Sequence, residues 1–552
     1  MKVFKPNSGI YILIFCFFII NIIQAVLTPV IDDEAYYWLW AQQPDWGYFD
    51  HPPMIAIWIA AGIKLFKGTL GLRFFTVVFN TLSIFLIWKI LKPKNKNQLI
   101  LFSILIFSFL VLQSFGFIAT PDAPLLFFSF LYLLSLKYFL KKNSLSSALI
   151  LGFAMAGLMY SKYHGLLLII FSLLPLVFKL IKNPKFYISV VFSLILFIPH
   201  LLWLFKHDFI PFEYHLTDRS ANDGFKFNQL ALFPVYYFLG MAPFLFYFNF
   251  KSLIKFKPKS EFDKSLYSVS ILPGIFFFIT LFKGNVQPQW LLICFVAMVL
   301  IFYKFYANQK ISKGMITTGI AGIILILAAR IYLMLPGFSV FEINKKFGED
   351  LAAFNIDNAV FEKYQEASVY SFYNPGKNVF VHRTLGNRKS QFDIWYKNQD
   401  FNGKNITYIS PWVKGKDSIR AYKNMIYSLK EIENYTSFHK IEIQTVKNLR
   451  LKATEKTKLK IKIINAENHL VTIGENSEFI LNLNYYKGKS HEILYTYIVE
   501  LENLTLIPGE VKELEIEIKN ISEKGNFKAA FGLNYLPLGT VYLSEPIEII
   551  SN

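Results

Sequence analysis

The chain has 552 residues, of which 54% are hydrophobic and only 17% charged. A soluble protein of this size carries about a quarter charged residues, so one soluble globular domain cannot account for the whole chain. The formal charge of +19 does not point to nucleic acid, because the lysines of the first half sit in short loops between apolar runs, as the positive-inside rule describes.

Apolar runs of about 20 residues fill the chain up to Gly337, and runs of that length can cross a bilayer as helices. Eleven spans are expected, centred near residues 20, 81, 107, 131, 152, 173, 194, 239, 273, 298 and 324. The first follows Lys2 and Lys5, but no small-residue cleavage site precedes Asp32-Asp33-Glu34, so an uncleaved span is expected. With the N-terminus inside, the basic connections alternate correctly. Lys92, Lys94 and Lys96, then Lys141 and Lys142, Lys182 and Lys185, Lys251 to Lys264, and Lys304 to Lys313 all fall on the inner side. The odd number of spans leaves the rest of the chain outside. Cys16 and Cys294 both lie in apolar runs, and no disulfide framework is expected.

Two predicted outer loops are long. The first, from about Ile31 to Gly71, holds the apolar segment Ile55–Ile63, too short to span and suited to the interface. The second runs from about Phe205 to Asn228. Past Gly337 the composition becomes that of a soluble protein. Val379-Phe380-Val381 and Ile406–Ile409 read as strands within an α/β part, residues 338–440. From about Ile441 the pattern alternates with a period of two, as in Lys458–Ile463, Phe479–Leu483 and Val511–Ile518, which predicts an antiparallel β-sandwich over 441–552. The expected architecture is a polytopic α-helical membrane domain, 1–337, followed by these two extracytoplasmic parts.

Acidic residues concentrate on one predicted face. Of the twelve Asp and Glu up to Gly337, only Glu261 and Asp263 fall inside. Topology alone does not require this, since Asp and Glu contribute little to orientation. Five outer segments carry candidate chemistry. Asp32-Asp33-Glu34 leads into Tyr36-Tyr37-Trp38 and then Tyr48-Phe49-Asp50-His51-Pro52-Pro53. A carboxylate in apolar, aromatic surroundings can serve as a general base, although an interfacial aromatic belt would also use such Trp and Tyr. Asp122, in Thr120-Pro121-Asp122-Ala123-Pro124, begins the fourth span, where a first-turn acid is favoured anyway. Lys162 and Tyr163, in Ser161-Lys162-Tyr163-His164, place a cation against the positive-inside trend. It suits a lipid phosphate or simply snorkels. His215 and Arg219 follow in the second long loop, the arginine suited to phosphate and the histidine to a carboxylate or a metal. Lys283, Gln289 and Trp290 offer a cation, an amide and an indole suited to a sugar, or form a plain interfacial turn.

Asp32-Asp33-Glu34-Ala35-Tyr36-Tyr37, Tyr48-Phe49-Asp50-His51-Pro52-Pro53, Thr120-Pro121-Asp122-Ala123-Pro124-Leu125 and Ser161-Lys162-Tyr163-His164-Gly165 resemble the ArnT-like and protein O-mannosyltransferase-like membrane glycosyltransferases of the GT-C fold. The resemblance covers the membrane half and extends in part to about Tyr435. It implies an inverting transfer from a polyprenyl-phosphate sugar, with Asp33, Glu34 and Asp122 as the catalytic acids. Tyr37, His51, Lys162, Tyr163, Arg219, Lys283, Gln289 and Trp290 are the expected donor contacts. Asp50 and His215 match metal-binding positions of a lipid A aminoarabinose transferase, so a divalent metal is possible. His51 stands where that enzyme has a phosphate-facing lysine. The implied location is the bacterial cytoplasmic membrane with the site outside. The partners are a lipid-linked donor, membrane lipid and an acceptor that is a glycolipid, a glycan or a protein. A lipid-linked sugar transporter is the competing reading. It would place ionisable groups near the bilayer midplane, where this sequence has Arg330 as its clear deep cation.

Overall fold

The computed structural model describes residues 6–215, 227–384, 387–395, 397–421, 425–486, 493–536 and 538–552. Two compact units emerge, Met1–Glu342 and Ile343–Asn552.

The first unit is helical. α1 (Pro6–Leu27) runs into a turn and then α2 (Asp32–Gln42) and α3 (Met54–Ile63), and α4 (Gly68–Leu91) packs back along α1 and α3. α4 stops at Lys92, whose φ of 52° takes the left-handed conformation typical of helix C-termini. α5 (Lys96–Ser108) is capped by Asn95, whose side chain accepts the Gln98 N–H at 3.0 Å. After α6 (Leu110–Ser114) come α7 (Asp122–Lys142) and α8 (Leu145–Ser161), the latter opened by a Ser144–Ser147 capping box. α9 (His164–Leu173) continues through a 3-10 turn into α10 (Val177–Leu180), followed by α11 (Pro184–Lys206) and α12 (Ile210–Glu213). α13 (Phe227–Gly240), α14 (Phe246–Lys255), α15 (Glu261–Thr280), α16 (Leu292–Tyr306) and α17 (Lys313–Met334) complete the bundle. α8 lies against both α7 and α11. Gly157 allows the first approach: a Cβ there would sit 2.1 Å from the Phe128 ring. Gly152 allows the second, where a Cβ would lie 2.5 Å from the Ser189 carbonyl oxygen.

Among the described residues seven helices are long and apolar enough to cross a membrane, and the chain is a multi-pass membrane protein. The other four expected centres do not fall on long straight helices. The centre near 239 falls at the break between α13 and the following Pro243–Lys255 helix, a bend of 89°. Pro243 cannot continue the α13 hydrogen-bond ladder, and Ala242 at φ 59° turns the chain. The centres near 107, 152 and 173 fall on shorter apolar helices, Lys96–Ser108, Leu145–Ser161 and His164–Leu180. The expected interfacial segment is α3.

The second unit opens with α18 (Glu342–Ala352). A five-stranded sheet of order β2-β1-β3-β5-β4 follows, built from β1 (Asn358–Phe361), β2 (Asn378–Val381), β3 (Ile406–Ser410), β4 (Asp417–Ala421) and β5 (Met425–Ile432). β1 pairs in parallel with β2 and β3, and the rest is antiparallel. Beyond it, an eight-stranded and a three-stranded sheet form the sandwich. In the latter, β8 (Lys456–Asn465) and β13 (Val511–Lys519) set Lys462 opposite Glu513 and Lys460 opposite Glu515. The alternate residues Leu459, Ile461, Ile463, Ile516 and Ile518 are buried, as strand geometry requires of one apolar face. Val360, Phe380 and Tyr408 of the five-stranded sheet share one hydrophobic core with Phe438, Leu481 and Phe531 of the sandwich. The expected division near residue 440 therefore lies inside a single compact unit.

Candidate functional site

Glu34, Asp122 and Lys162 are linked where α2, α7 and α9 begin. α2 starts with three acids, where carboxylates face the unsatisfied N–H groups and positive end of a helix. Successive helical residues point in different directions, and these acids differ accordingly. Asp33 is exposed, whereas Glu34 is fully buried. Glu34 is held by Arg73 of α4, with Nε to Oε1 at 2.8 Å and Nη2 to Oε2 at 2.5 Å. Its Oε1 also accepts the N–H of Ala119 at 2.7 Å. A carboxylate bound this fully is placed to join segments, not to accept a substrate proton.

Ala119 leads to Asp122, the first residue of α7. Both carboxylate oxygens of Asp122 accept from Lys162 Nζ, at 2.8 and 2.9 Å, and both side chains are buried. An expected catalytic acid and an expected donor-phosphate contact are thus paired with each other. Lys162 ends α8, and Tyr163 and His164 begin the next helix. Burial raises the Tyr163 pKa, and the nearby Asp50 carboxylate raises it further. His164 packs against Trp290 at 5.3 Å between ring centroids.

A wall of rings lines the same region. Trp40 stacks on Tyr48 with centroids 4.4 Å apart, and the Tyr48 hydroxyl donates to the carbonyls of Trp40 and Gln43. Tyr37 lies 6.2 Å from His51, and His51 lies 6.0 Å from His215. His215 in turn lies 6.2 Å from Tyr163. Its Nε2 faces the Asp50 backbone carbonyl at 2.9 Å. Among the described residues no group of three His, Cys, Asp or Glu is placed to hold a metal, so Asp50 and His215 lack a third protein ligand there. No step below is routed through a metal.

Of the remaining candidates, Gln289 donates to Gln287 at 2.7 Å, and Lys283 is exposed just beyond α15. Arg219 lies outside the described residues.

Three residues were not anticipated. Arg73 sits early in an apolar run, 39 positions from its partner Glu34. His200 and Trp203 lie one turn apart on α11. His200 contacts the Trp46 carbonyl through Nδ1 at 2.6 Å and the Tyr163 hydroxyl through Nε2 at 3.3 Å. Trp203 Nε1 donates to Asp45 at 2.9 Å. Gly47 lies flat on the Trp203 indole, where a Cβ would come within 2.3 Å of the ring. Polar residues three apart inside a long apolar helix were the available signal, since such positions face a partner and not lipid.

Residues 50–203 match the family model of dolichyl-phosphate-mannose-protein mannosyltransferase. That segment holds Asp50, His51, Asp122, Lys162, Tyr163 and His200. The chain is 25% identical over 237 residues to lipid A galacturonosyltransferase RgtD of Rhizobium johnstonii, covering 41% of this chain and 48% of that protein. It thus spans about half the length of that relative. ArnT from Cupriavidus metallidurans in the apo state superposes with a TM-score of 0.58 at 10% identity, over 77% of this chain and 98% of that one. The same protein bound to undecaprenyl phosphate gives 0.55 at 12% identity, with the same coverage. The chain is a multi-pass membrane protein that shares the fold of ArnT, and its residues 50–203 are similar to the dolichyl-phosphate-mannose-protein mannosyltransferase family.

Proposed function

We propose that the chain is an inverting glycosyltransferase that moves a sugar from a polyprenyl-phosphate donor to a hydroxyl of a lipid, glycan or protein acceptor. The observation that carries this reading is the junction itself. The exposed Asp33 carboxylate adjoins Glu34, whose carboxylate reaches the segment bearing the buried Asp122–Lys162 pair. Acid, cation and aromatic wall occupy one end of the bundle, as a phosphate-linked sugar on a long lipid requires. The ArnT fold and the family match over residues 50–203 support the same class.

Asp33 takes the proton of the acceptor hydroxyl. The acceptor oxygen attacks the anomeric carbon, and the bond from that carbon to the phosphate oxygen breaks. The electron pair leaves with the lipid phosphate. Charge develops on that phosphate as the bond breaks, so a positioned cation contributes most in the transition state. Lys162 fits this role, with Asp122 holding its ammonium in place, and His51 and Arg219 are further candidates. Tyr37, Tyr163 and Trp290 offer ring faces to the sugar, with Gln289 and Lys283 nearby in sequence to Trp290.

The lysine-rich loops, read by the positive-inside rule, support an extracytoplasmic position for this end at the cytoplasmic membrane. The transporter reading loses its main support, because the deep cation Arg330 is engaged by the side chains of Asn21 and Gln113 and lies over Phe117.

The test is a transfer assay in membranes with a panel of polyprenyl-phosphate sugars. Asp33→Asn should abolish turnover while the protein stays folded and inserted. Turnover equal to wild type would remove Asp33 from the base role.

A further inference from the structure

We infer that Arg73 is a positioning residue that sets the spacing between the Asp33 and Asp122 segments, with Glu34 as its relay. This deepens the glycosyltransferase reading and rests on it for the roles of those two acids. The argument begins with what one guanidinium reaches. Nη1 donates to the carbonyls of Ala25 at 3.1 Å and Thr28 at 2.6 Å, and Nη2 donates to Pro29 at 3.0 Å. These carbonyls end α1 and form the turn that delivers α2. Helix C-terminal carbonyls lack intrahelical partners, and Arg73 supplies them. Nε and Nη2 then hold the two oxygens of Glu34, the neighbour of Asp33.

Glu34 passes the constraint on. Its Oε1 takes the Ala119 N–H. From Ala119 to Asp122 the chain is short and stiff, because Pro121 has a fixed φ and the Ala123 N–H bonds the Thr120 carbonyl at 2.9 Å. The Arg73 and Glu34 side chains are both fully buried. In low dielectric a bidentate pair with every neighbouring carbonyl satisfied has one arrangement and little freedom. Lysine cannot replace it, since an ammonium is a point charge without the planar fork. The far side of Arg73 is also fixed: its guanidinium lies over the Phe117 ring at 5.9 Å, and Phe117 belongs to the same loop that brings in Ala119.

The arrangement excludes Glu34 from proton transfer and makes it a strut. Moving catalytic groups by about 1 Å costs roughly 100-fold in rate, so loss of the strut should appear in kcat and not in donor binding.

The experiment compares full-length wild type, Arg73→Lys and the double variant Arg73→Met/Glu34→Gln, which leaves no lone buried charge. Two readouts are taken on the purified membrane protein. The first is amide hydrogen exchange in peptides covering residues 30–36 and 117–123, against peptides of the β-sandwich. The second is the kcat and KM of sugar transfer. Faster exchange in both site peptides with the sandwich unchanged is expected. A fall in kcat on the order of 100-fold is expected with KM for the donor nearly constant, and Arg73→Lys should be intermediate. Unchanged exchange in the two peptides, or loosening spread evenly over the chain, overturns the inference. So does a kcat loss that only tracks the folded fraction. A wild type inert to every donor would count against the glycosyltransferase reading, and the exchange comparison would still decide whether Arg73 couples the two segments.

Discussion

The two units bury their polar groups differently. In the helical unit the buried charges at the candidate site neutralise one another across distant segments: Glu34 with Arg73, and Asp122 with Lys162. In the β-rich unit, buried carboxylates are held by hydroxyl, amide and backbone donors, as Glu467 is by Ser437, Gln399 and the Lys440 N–H. Glu362 accepts from Tyr408 at 2.7 Å and from Ser410, and Glu366 accepts from Tyr427 at 2.8 Å. That unit also buries His382, with the ring of the half-buried His439 5.1 Å away. The difference teaches where each unit is vulnerable. A buried ion pair fails when one partner is removed, because the other charge is stranded. A buried neutral imidazole fails when it must accept a proton.

The largest expected effect breaks the first kind of contact. Asp122→Asn leaves the Lys162 ammonium buried without its carboxylate and should lower stability by about 3–5 kcal/mol. A thermal shift of the purified protein checks this, and Asp122→Asn/Lys162→Met should recover most of the loss while staying inactive. Recovery of activity as well would show that the pair serves stability alone.

The second effect is pH dependence in the β-rich unit. Burial holds the pKa of His439 down to about 3, and that of His382 well below its ordinary value. Both are therefore neutral in the folded state and become protonated on unfolding below their ordinary pKa near 6.5. A depressed histidine pKa leaves stability intact above about pH 6.5. As pH falls below that, stability drops by about 1 kcal/mol per pH unit for each histidine, until the folded pKa is reached. Limited proteolysis of residues 343–552 in the full chain between pH 7 and pH 4.5 should show this. His382→Leu/His439→Phe should flatten the response. The smallest effect is on the sandwich surface. Glu515→Gln removes an exposed pair with Lys458 at 3.3 Å and should change stability by less than about 0.5 kcal/mol. A larger change in the same thermal assay would mean that the Lys/Glu ladder acts as a network.

Much of the architecture was legible without coordinates. Apolar runs of bilayer length marked the helical half, and period-two alternation marked β8, the strand at Phe479–Tyr486 and β13. These signals are local, because a helix or strand repeats its environment every few residues. What failed was also physical. Eleven spans were expected; among the described residues seven fall on long apolar helices, one on a pair bent by 89° at Pro243, and three on shorter apolar helices. A hydropathy window averages over a break that one proline imposes.

By itself the sequence determined that the chain is a multi-pass membrane protein with a β-rich end. It also determined that acids, aromatics and a few cations gather in the loops of one predicted face. Composition and period decide these things, and each acts over a few residues. Only the tertiary structure decided the surroundings of each acid. Asp33 and Glu34 are chemically alike neighbours, yet Glu34 is buried against Arg73 and Asp33 is exposed. Asp122 and Lys162 were expected as a catalytic acid and a donor contact, and the approach of α7 and α8 paired them. His200 gained a place only because α11 packs against the loop at Trp46. Long-range pairing depends on which helices meet, and no local pattern encodes that.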